Sequence, residues 1–220
     1  MKNCIHIPDD FAGFDPCGFC IPQPLASSIH RVLIPHGMIK DRIKKLADDI
    51  FKALVEEEVE SVSLLCVLKG AYRFYADLQE SLSAVNANES SKGHFHIIPE
   101  FIRLKSYENT SSQGEVKIMG IDDLEKIRGK TVVVVEDIID TGRTMRKLLS
   151  TLESHQPKKV IVVCLLRKRT PLSDGYKPDF VGFEIPDRFV IGYAFDYNEY
   201  FRDLMPLCVI SEKGIENFKE

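Results

Sequence analysis

The residues best suited to chemistry lie together in one passage, Val132-Val-Val-Val-Glu-Asp-Ile-Ile-Asp-Thr-Gly-Arg-Thr144. Its apolar start predicts a buried strand, and the apolar spacing that follows Thr144 predicts a helix. Ligands of open α/β sheets bind beyond the carboxyl ends of the strands, and the free N–H groups at a helix start bind anions. Gly142 allows the backbone to approach a phosphate closely, and the hydroxyls of Thr141 and Thr144 add donors. The passage therefore predicts a phosphate-binding turn.

Three carboxylates, those of Glu136, Asp137 and Asp140, stand beside this predicted anion site. They would repel a phosphate alone, whereas a ligand that carries a phosphate, sugar hydroxyls and a magnesium ion resolves the conflict. Glu136 and Asp137 are suited to accept hydrogen bonds from vicinal ribose hydroxyls or to bind magnesium through its water molecules. In the alternative interpretation, Asp140 only caps the helix and the other two acids are solvated. The GxxxxGK[ST] and GxGxxG spacings of other nucleotide-binding turns are absent.

The periodicity of the apolar residues predicts the elements that position this turn. Helical spacing covers residues 39–54, 71–85 and 145–152. Apolar runs typical of strands cover residues 61–68, 94–104, 130–136 and 159–166, with shorter runs at 180–185, 190–193 and 207–211. This alternation predicts an α/β fold with a central parallel sheet. Residues 1–37, which are rich in proline and weakly periodic, are interpreted as an irregular covering segment.

Composition limits the classes of protein to which the chain can belong. Its 220 residues suit one domain of ordinary size, and a net charge of −4 argues against nucleic-acid binding as the main role. No stretch approaches the roughly 18 consecutive apolar residues of a membrane span, and the start lacks the apolar core of a secretory signal. We therefore expect a cytoplasmic globular protein with no nucleic-acid or membrane partner.

The six cysteines do not form a recognisable metal site. Cys66, Cys164 and Cys208 lie in apolar runs and are predicted to be buried. Cys17 and Cys20 have CxxC spacing, but no second CxxC or histidine pair follows to complete a zinc site. We expect two unpaired thiols in an N-terminal loop and no structural transition metal.

Several further motifs occur in a fixed order along the chain. They are Leu68-Lys-Gly70, Phe101-Ile-Arg-Leu-Lys-Ser-Tyr107, Leu166-Arg-Lys-Arg-Thr170, Lys177-Pro-Asp-Phe-Val-Gly-Phe-Glu-Ile-Pro186 and Asp196-Tyr-Asn-Glu-Tyr-Phe-Arg-Asp203. Together with residues 132–144, this set resembles the type I phosphoribosyltransferases, and among them the members that act on hypoxanthine and guanine. The resemblance extends from about residue 31 to the C-terminus and is looser before it.

The resemblance implies a twisted, mostly parallel sheet flanked by helices, formed by residues 38–220, with a small hood to which residues 1–37 and the C-terminal segment contribute. It implies a purine salvage reaction in which phosphoribosyl pyrophosphate and magnesium convert hypoxanthine or guanine to IMP or GMP and pyrophosphate. It also implies a homodimer or homotetramer.

For the phosphoribosyl donor, the resemblance implies four groups of contacts. Thr141, Gly142, Arg143 and Thr144, with Asp137 and Asp140, match the turn that binds the 5-phosphate. Glu136 and Asp137 match contacts to ribose and to magnesium waters, and Asp196 matches a magnesium ligand. Lys69 and Gly70 match the pyrophosphate loop, which contains a non-proline cis peptide in this family, and Arg202 matches a catalytic pyrophosphate contact. Ser106 and Tyr107 match the base of a mobile lid, of which residues 108–114 would move.

For the purine, the resemblance implies a second set of contacts. Asp140 matches a general acid or base at N7, and Lys168 matches the donor to O6, which would disfavour the 6-amino group of adenine. Phe189 matches the aromatic ring that stacks on the base, and Ile138 packs on its opposite face. Val190 matches the residue whose main chain meets the pyrimidine edge.

Two alternatives stay open at this point. One keeps the fold and shifts the base preference toward xanthine or toward a single oxopurine. The other is a catalytically silent homologue, against which the joint presence of Asp140, Lys168, Asp196 and Arg202 argues. Ala71, where a second glycine is common in the family, is a departure that would affect pyrophosphate binding if the loop requires a positive φ there. Leu172 and Phe195 are further departures.

Overall fold

A computed structural model describes residues 4–88, 94–106, 116–119 and 124–219 of the chain; at residues 105, 106 and 116–119 it describes the backbone only. The helices are α1 (His36–Glu56), α2 (Tyr72–Asn88), α3 (Arg143–Ser154) and α4 (Glu212–Asn217). The strands are β1 (Ile5–His6), β2 (Ile29–Ile34), β3 (Ser61–Leu68), β4 (His96–Ser106), β5 (Val116–Met119), β6 (Thr131–Ile139), β7 (Lys159–Arg169), β8 (Phe180–Pro186), β9 (Val190–Ile191) and β10 (Leu207–Ile210).

Seven strands of the described chain form a central sheet in the order β1-β8-β7-β6-β3-β4-β5. All neighbours are parallel except β5, which pairs antiparallel with β4 at the edge. The predicted α/β fold with a central, mostly parallel sheet is confirmed. β4 lies on one side of β3, and the later strands β6, β7 and β8 lie on the other side. The order of the strands therefore reverses between β3 and β6, which is where open α/β sheets bind ligands.

Helices cover both faces of this sheet, which explains the all-valine stretch of β6. Val133 and Val135 belong to the apolar core under α1 and α2, whereas Val132 and Val134 belong to the core under α3. Successive side chains of a strand point to opposite faces, so a strand with two covered faces is apolar at every position. The strand that carries the candidate site at its end is thus fixed at the centre of the molecule.

The two ends of the chain meet in a second sheet of order β2-β10-β9. β10 pairs antiparallel with β2 and with β9, and β1 joins the edge of the central sheet beside β8. The prediction that residues 1–37 are irregular is therefore wrong for β1 and β2. Both strands are short and find their partners near the other end of the chain, so no local pattern indicates them. The assignment of this segment to a hood stays a prediction.

Two strands end three residues later in the structure than predicted. β6 continues through Asp137 to Ile139, because Ile138 pairs with Leu166 of β7 and Ile139 with Arg167. β7 continues to Arg169, because Lys168 and Arg169 pair with Ile185 and Pro186 of β8. Asp137 therefore lies within the strand, as Glu136 does, and of the three acids only Asp140 follows it. β9 is shorter than predicted, because Gly192, Tyr193 and Ala194 adopt positive φ values.

The predictions for the cysteines hold where the structure bears on them. Cys66, Cys164 and Cys208 are buried, Cys17 and Cys20 are exposed, and all are free thiols. Burial raises the pKa of Cys66 and of Cys208 to about 12, so these thiols stay protonated and behave as apolar side chains. None of the described helices is both long and apolar enough to cross a membrane.

Candidate functional site

The turn between β6 and α3 is formed by Asp140, Thr141 and Gly142. Gly142 is the N-cap of α3 and has a φ of 90°, a conformation that residues with a Cβ rarely adopt. A Cβ atom at this position would lie 2.3 Å from Asp174 Oδ1 and 2.9 Å from Tyr176 Cβ. Both the backbone conformation and the close packing therefore require glycine.

The start of α3 has no side-chain cap. The alternative interpretation of Asp140 as a helix cap is therefore wrong, because Gly142 occupies that position. The Arg143 N–H group is only 3.5 Å from Thr141 Oγ1, at the limit of a hydrogen bond. A helix start whose N–H groups lack a side-chain partner is suited to bind an anion.

A cavity of about 160 Å³ opens at this turn. It is lined by Glu136, Ile138, Ile139, Asp140, Thr141, Gly142, Thr144 and Met145. Most of these residues belong to the predicted phosphate-binding turn, while Ile139 and Met145 add an apolar wall that the motif did not indicate.

The loop that follows β7 packs against the turn at residues 140–142 and is hydrogen-bonded to it. The Asp174 N–H group donates to Thr141 O at 2.8 Å, and Arg146 Nε donates to Asp174 Oδ2 at 2.6 Å. The Arg146 guanidinium also lies 5.6 Å from the centre of the Tyr176 ring. Sequence reasoning missed these residues, because the contacts join segments about 30 positions apart.

Asp140 and Lys168 form an ion pair, with 3.0 Å between Asp140 Oδ2 and Lys168 Nζ. They are 28 residues apart in sequence but end the neighbouring strands β6 and β7. The Lys168 side chain is 12% exposed, against 49% for Asp140. Asp187 Oδ1 lies 3.8 Å from the same nitrogen on the other side. A largely shielded ammonium group thus lies beside an accessible carboxylate at the site.

Glu136 and Asp137 form a crowded acidic pair just before the turn. The Asp137 N–H group donates to Glu136 Oε1 at 3.2 Å, and the Ile138 N–H group donates to Asp137 Oδ1 at 2.6 Å. Burial, and then the charge of Asp137, raise the pKa of Glu136 well above its ordinary value. Burial also raises the pKa of Asp137, against the opposing effects of its hydrogen bonds and of Arg202. The pair therefore favours a proton, a cation or hydroxyl donors beside it.

The loop after β3 lies against this pair. A Cβ atom on Gly70 would lie 1.5 Å from Asp137 Oδ2, so any side chain there would displace the Asp137 carboxylate. The Leu68–Lys69 peptide bond is cis, as the resemblance implied. Ala71 is buried and its φ is not positive, so the possible strain at this departure from the family pattern does not arise.

Lys69, Glu199 and Arg202 form a chain of charges between this loop and residues 192–203. Lys69 Nζ donates to Glu199 Oε2 at 2.9 Å, and Arg202 Nη2 lies 3.4 Å from the same oxygen and 2.8 Å from Asp196 Oδ1. Arg202 Nη1 donates to Ala194 O at 2.7 Å. The structure therefore brings Lys69, Asp196 and Arg202 together, and it adds Glu199, which sequence reasoning missed although it lies within the quoted motif.

The remaining predicted residues flank the site. Phe189 is 52% exposed, and its ring lies 5.7 Å from the Tyr197 ring at right angles to it. Val190 is buried in β9, and Ile138 is partly buried at the end of β6. Tyr107, residues 108–114 and the side chain of Ser106 lie outside the described residues, so the lid stays a prediction. Leu172 is exposed and Phe195 is buried.

No three ligating side chains cluster as a metal site within the ranges that the structure describes. Magnesium usually keeps several water molecules and is held by one or two carboxylates together with the phosphates of a substrate. The Glu136–Asp137 pair fits this mode, since burial raises the pKa of both carboxyl groups and a cation beside them would stabilise their charged forms. The carboxylate of Asp196 fits it as well.

The chain is similar to proteins of known activity over most of its length. Residues 35–198 match the family described as phosphoribosyl transferase domain. The hypoxanthine-guanine phosphoribosyltransferases of Canis lupus familiaris and Homo sapiens are each 54% identical over 215 residues, which cover 98% of this chain and 96% of those proteins. A crystal structure of the hypoxanthine-guanine phosphoribosyltransferase from Schistosoma mansoni in complex with IMP matches with a TM-score of 0.84 at 40% identity. That match covers 98% of this chain and 99% of the other.

The acidic pair predicts a pH dependence of stability. Because the folded-state pKa of Glu136 is raised, the folded protein holds more protons than the unfolded chain above about pH 4.5, and the free energy of unfolding falls as the pH rises through this window. We expect Glu136→Gln to flatten this decline between about pH 5 and 8. At pH 7.5 it should raise the Tm by about 2–4 °C, the effect of roughly 1 kcal/mol in a chain of this size.

The measurement is thermal unfolding followed by circular dichroism across that pH range. Glu80→Gln, at an exposed position of α2, removes the same charge away from the site and should leave the curve of the unmutated protein in place. An equal Tm for Glu136→Gln and the unmutated protein at pH 7.5 would contradict the prediction.

Proposed function

The chain belongs to the phosphoribosyltransferase family, within its hypoxanthine-guanine phosphoribosyltransferases, and from this we propose that it transfers the 5-phosphoribosyl group of phosphoribosyl pyrophosphate to N9 of hypoxanthine or guanine. The products are IMP or GMP and pyrophosphate, and the role is purine salvage in the cytoplasm. The observation that carries the proposal is the Asp140–Lys168 pair, 3.0 Å apart beside the glycine-capped turn of α3. It supplies an acceptor and a donor for a base next to a site for its sugar phosphate.

In this proposal the turn at Gly142 binds the 5-phosphate of the donor. The uncapped N–H groups at the start of α3 donate to its oxygens, and the hydroxyls of Thr141 and Thr144 add two donors. Arg143 contributes its backbone N–H group, since its side chain is exposed. Glu136 and Asp137 accept hydrogen bonds from the ribose hydroxyls, whose donors relieve the repulsion within the pair.

The pyrophosphate lies on the side of Lys69, Gly70 and Arg202. The planar fork of Arg202 suits two phosphate oxygens, and the pyrophosphate takes the place of the Glu199 carboxylate between the two cations. Glu136, Asp137 and Asp196 are the carboxylates that would hold magnesium. When bound, this ion neutralises the charge that develops on the leaving pyrophosphate.

The purine lies between Phe189 and Ile138. Lys168 Nζ donates to O6, and Asp140 holds or accepts the proton at N7, while the main chain at Val190 meets the pyrimidine edge. The bond between C1 and the pyrophosphate oxygen breaks early and leaves an oxocarbenium-like ribose. Catalysis therefore depends on positioning and on charge stabilisation rather than on a covalent nucleophile.

We also assign the N-terminal segment to the hood over the base. Arg169 Nη2 donates to Ile7 O and to Asp9 Oδ1, both at 2.6 Å, and Arg188 Nη1 donates to Phe11 O at 2.8 Å. These two arginines are the sequence neighbours of Lys168 and Phe189. The contacts support a role for the segment in fixing the strand end and the loop that contact the purine.

The proposal predicts a base preference that a spectrophotometric panel measures. With phosphoribosyl pyrophosphate and magnesium, we expect turnover of hypoxanthine and guanine and little turnover of adenine. Lys168→Gln should reduce the preference for hypoxanthine over adenine by about 10-fold or more, because the glutamine oxygen can accept from a 6-amino group. Lys159→Gln, at the exposed start of the same strand, is the matched control.

Each alternative gives a different result in this panel. Turnover of xanthine, or of one oxopurine alone, would correct the base assignment within the same reaction. No turnover of any base would indicate the silent homologue and end the proposal. An unchanged purine preference in Lys168→Gln would remove O6 recognition from that residue.

Asp140 is assigned the proton at N7, and its removal should affect the chemical step. We expect Asp140→Asn to lower kcat by about 10²- to 10⁴-fold, the range for loss of a general acid or base. Its Tm should stay close to that of the unmutated protein, because Asp140 does not cap α3. Asp187→Asn removes the other carboxylate near Lys168 and should change kcat far less. A kcat of Asp140→Asn within threefold of the unmutated value would refute the role.

A homo-oligomer, dimer or tetramer, is part of the proposal. Tyr72, Phe101 and Met205 expose 40%, 44% and 44% of their surface. Phe101 lies against Tyr75 of α2 with ring centres 5.2 Å apart, and Met205 Sδ lies 3.3 Å from Arg73 Nη1. Exposed apolar side chains around the start of α2 are typical of a subunit contact. Phe74 and Tyr75, by contrast, are buried in the core.

Sedimentation velocity tests this assembly. The unmutated chain should sediment as a dimer or tetramer, and Phe101→Glu should shift it toward the monomer, because a charge is costly in an apolar contact. Ile215→Glu, on α4 and similarly exposed, is the control and should leave the distribution unchanged. A monomeric unmutated chain at micromolar concentration would contradict the proposal.

A further inference from the structure

The turn at residues 192–194 combines burial with an unusual backbone. Gly192, Tyr193 and Ala194 have φ values of 89°, 51° and 78°. Left-handed conformations are unfavourable for residues with a Cβ, and they persist only where surrounding contacts impose them. Tyr193 is fully buried, so the contacts of its side chain can hold the turn in this conformation.

The Tyr193 hydroxyl reaches across to α2. It donates to Asp77 Oδ2 at 2.5 Å, and the other oxygen of this carboxylate accepts from Lys40 Nζ of α1 at 2.8 Å. The Arg73 guanidinium lies 5.9 Å from the centre of the tyrosine ring, and the His36 ring lies 6.1 Å from it. A buried phenol bound to a carboxylate is a specific and directional contact. It ties the turn to both helices on this face of the sheet.

The same turn orients the candidate pyrophosphate contact. Ala194 O accepts from Arg202 Nη1 at 2.7 Å, and the Ala194 N–H group donates to Arg202 O at 3.1 Å. The Tyr193 N–H group and Arg73 Nη1 both donate to Leu204 O, at 2.7 Å and 3.2 Å. The direction of the Arg202 side chain therefore depends on the carbonyl of the residue that follows Tyr193.

On the other side, α2 carries the loop of Lys69 and Gly70. The N–H groups of Tyr72 and Tyr75 donate to Lys69 O and Ala71 O, at 3.2 Å and 2.8 Å, so the loop continues directly into the first turn of the helix. Asp77 lies one to two helical turns further on. The contact between Asp77 and Tyr193 thus joins the element that bears Lys69 to the element that bears Arg202.

We propose that Tyr193 and Asp77 are a positioning pair for the phosphoribosyl donor: their hydrogen bond sets the placement of Arg202 relative to the Lys69–Gly70 loop. This role rests on the proposed function, because it concerns the pyrophosphate side of that site. Neither residue contacts the reacting atoms. The pair acts on the donor and not on the purine, whose assigned contacts are at the ends of β6 and β7 and near Phe189.

Steady-state kinetics of Tyr193→Phe tests the pair, because phenylalanine keeps the ring and removes only the hydroxyl. We expect the KM for phosphoribosyl pyrophosphate to rise about five- to twentyfold, part of the effect of losing a hydrogen bond to a carboxylate. The KM for hypoxanthine should stay within twofold. A merely structural role would lower the Tm without separating the two KM values, so thermal unfolding is measured alongside.

The chain offers a matched control on α2. Tyr75 is also buried, but its hydroxyl has no hydrogen-bond partner among the described residues. Tyr75→Phe should therefore leave both KM values unchanged. Asp77→Asn keeps an oxygen that can accept from Tyr193 and should give a smaller rise in the donor KM than Asp77→Ala. The donor KM of the double variant Tyr193→Phe/Asp77→Ala should be no higher than that of the single variant with the larger effect, since both substitutions remove the same hydrogen bond.

The outcomes separate this role from the proposed function. If the unmutated enzyme turns over oxopurines and Tyr193→Phe leaves the donor KM unchanged, the positioning role is overturned and the function stands. Equal increases in both KM values, or additive effects in the double variant, would also overturn it. If Tyr193→Phe does not fold, the comparison of Asp77→Asn with Asp77→Ala decides by the same criterion. An unmutated enzyme without any turnover would refute the proposed function, and the positioning role with it.

Discussion

Two carboxylates, Glu136 and Asp137, are held side by side at the end of the central strand although they repel each other. The pairing of β6 with β3 ends at Val135, but β6 stays paired with β7 through Glu136, Ile138 and Ile139, which restricts how far the backbone can turn either group away. Neither carboxylate makes an ion pair within the described part of the chain, and the carboxylate of Asp137 is pressed against Gly70. A protein of ordinary stability, about 5–15 kcal/mol, keeps such a conflict only where a ligand resolves it. The positive charge of Arg202 also acts on the pair, since it opposes the effect of burial on the pKa of Asp137.

The reversal of strand order between β3 and β6 explains how distant segments reach this pair. Parallel strands deliver their carboxyl ends to one edge of the sheet, so Gly70 after β3, Asp140 after β6 and Lys168 at the end of β7 lie next to one another. The turn at 192–194 and the motif that follows it approach from the second sheet. The site is therefore formed by the meeting of the central sheet with a smaller sheet composed of both ends of the chain.

Sequence reasoning predicted the parts of this arrangement that depend on local pattern. The apolar runs of β3 and β6 and the spacing of α1 and α3 are strong because both faces of the sheet are covered. The predicted strands β6 and β7 end too early, because the charged residues Glu136 and Lys168 interrupt the apolar pattern near the candidate site. Asp174, Glu199 and the pairing of Tyr193 with Asp77 carry no local signal, since each depends on a partner that only the fold supplies.

The two lysines assigned to ligand binding, Lys69 and Lys168, already have carboxylate partners in the structure. The two ion pairs differ in how exposed they are, and therefore in how easily a ligand can replace the carboxylate. Glu199, beside Lys69, is largely exposed, and an ion pair in solvent is worth only about 0–1 kcal/mol. The pyrophosphate of the proposed reaction, which carries a higher charge, would therefore replace this carboxylate at small cost. Lys168 is shielded, and O6 of a purine carries no full charge with which to displace Asp140.

The pair of Asp140 and Lys168 is instead suited to remain together. It presents an acceptor beside a donor, and O6 and N7 are neighbours on one edge of the purine. An oxopurine protonated at N7 presents the complementary order, a donor beside an acceptor. Adenine places a 6-amino group opposite the ammonium, so two donors face each other in a partly buried position, where an unmade hydrogen bond is costly. In the proposed function, one ion pair thus accounts both for recognition of the base and for the position of the group that handles its proton.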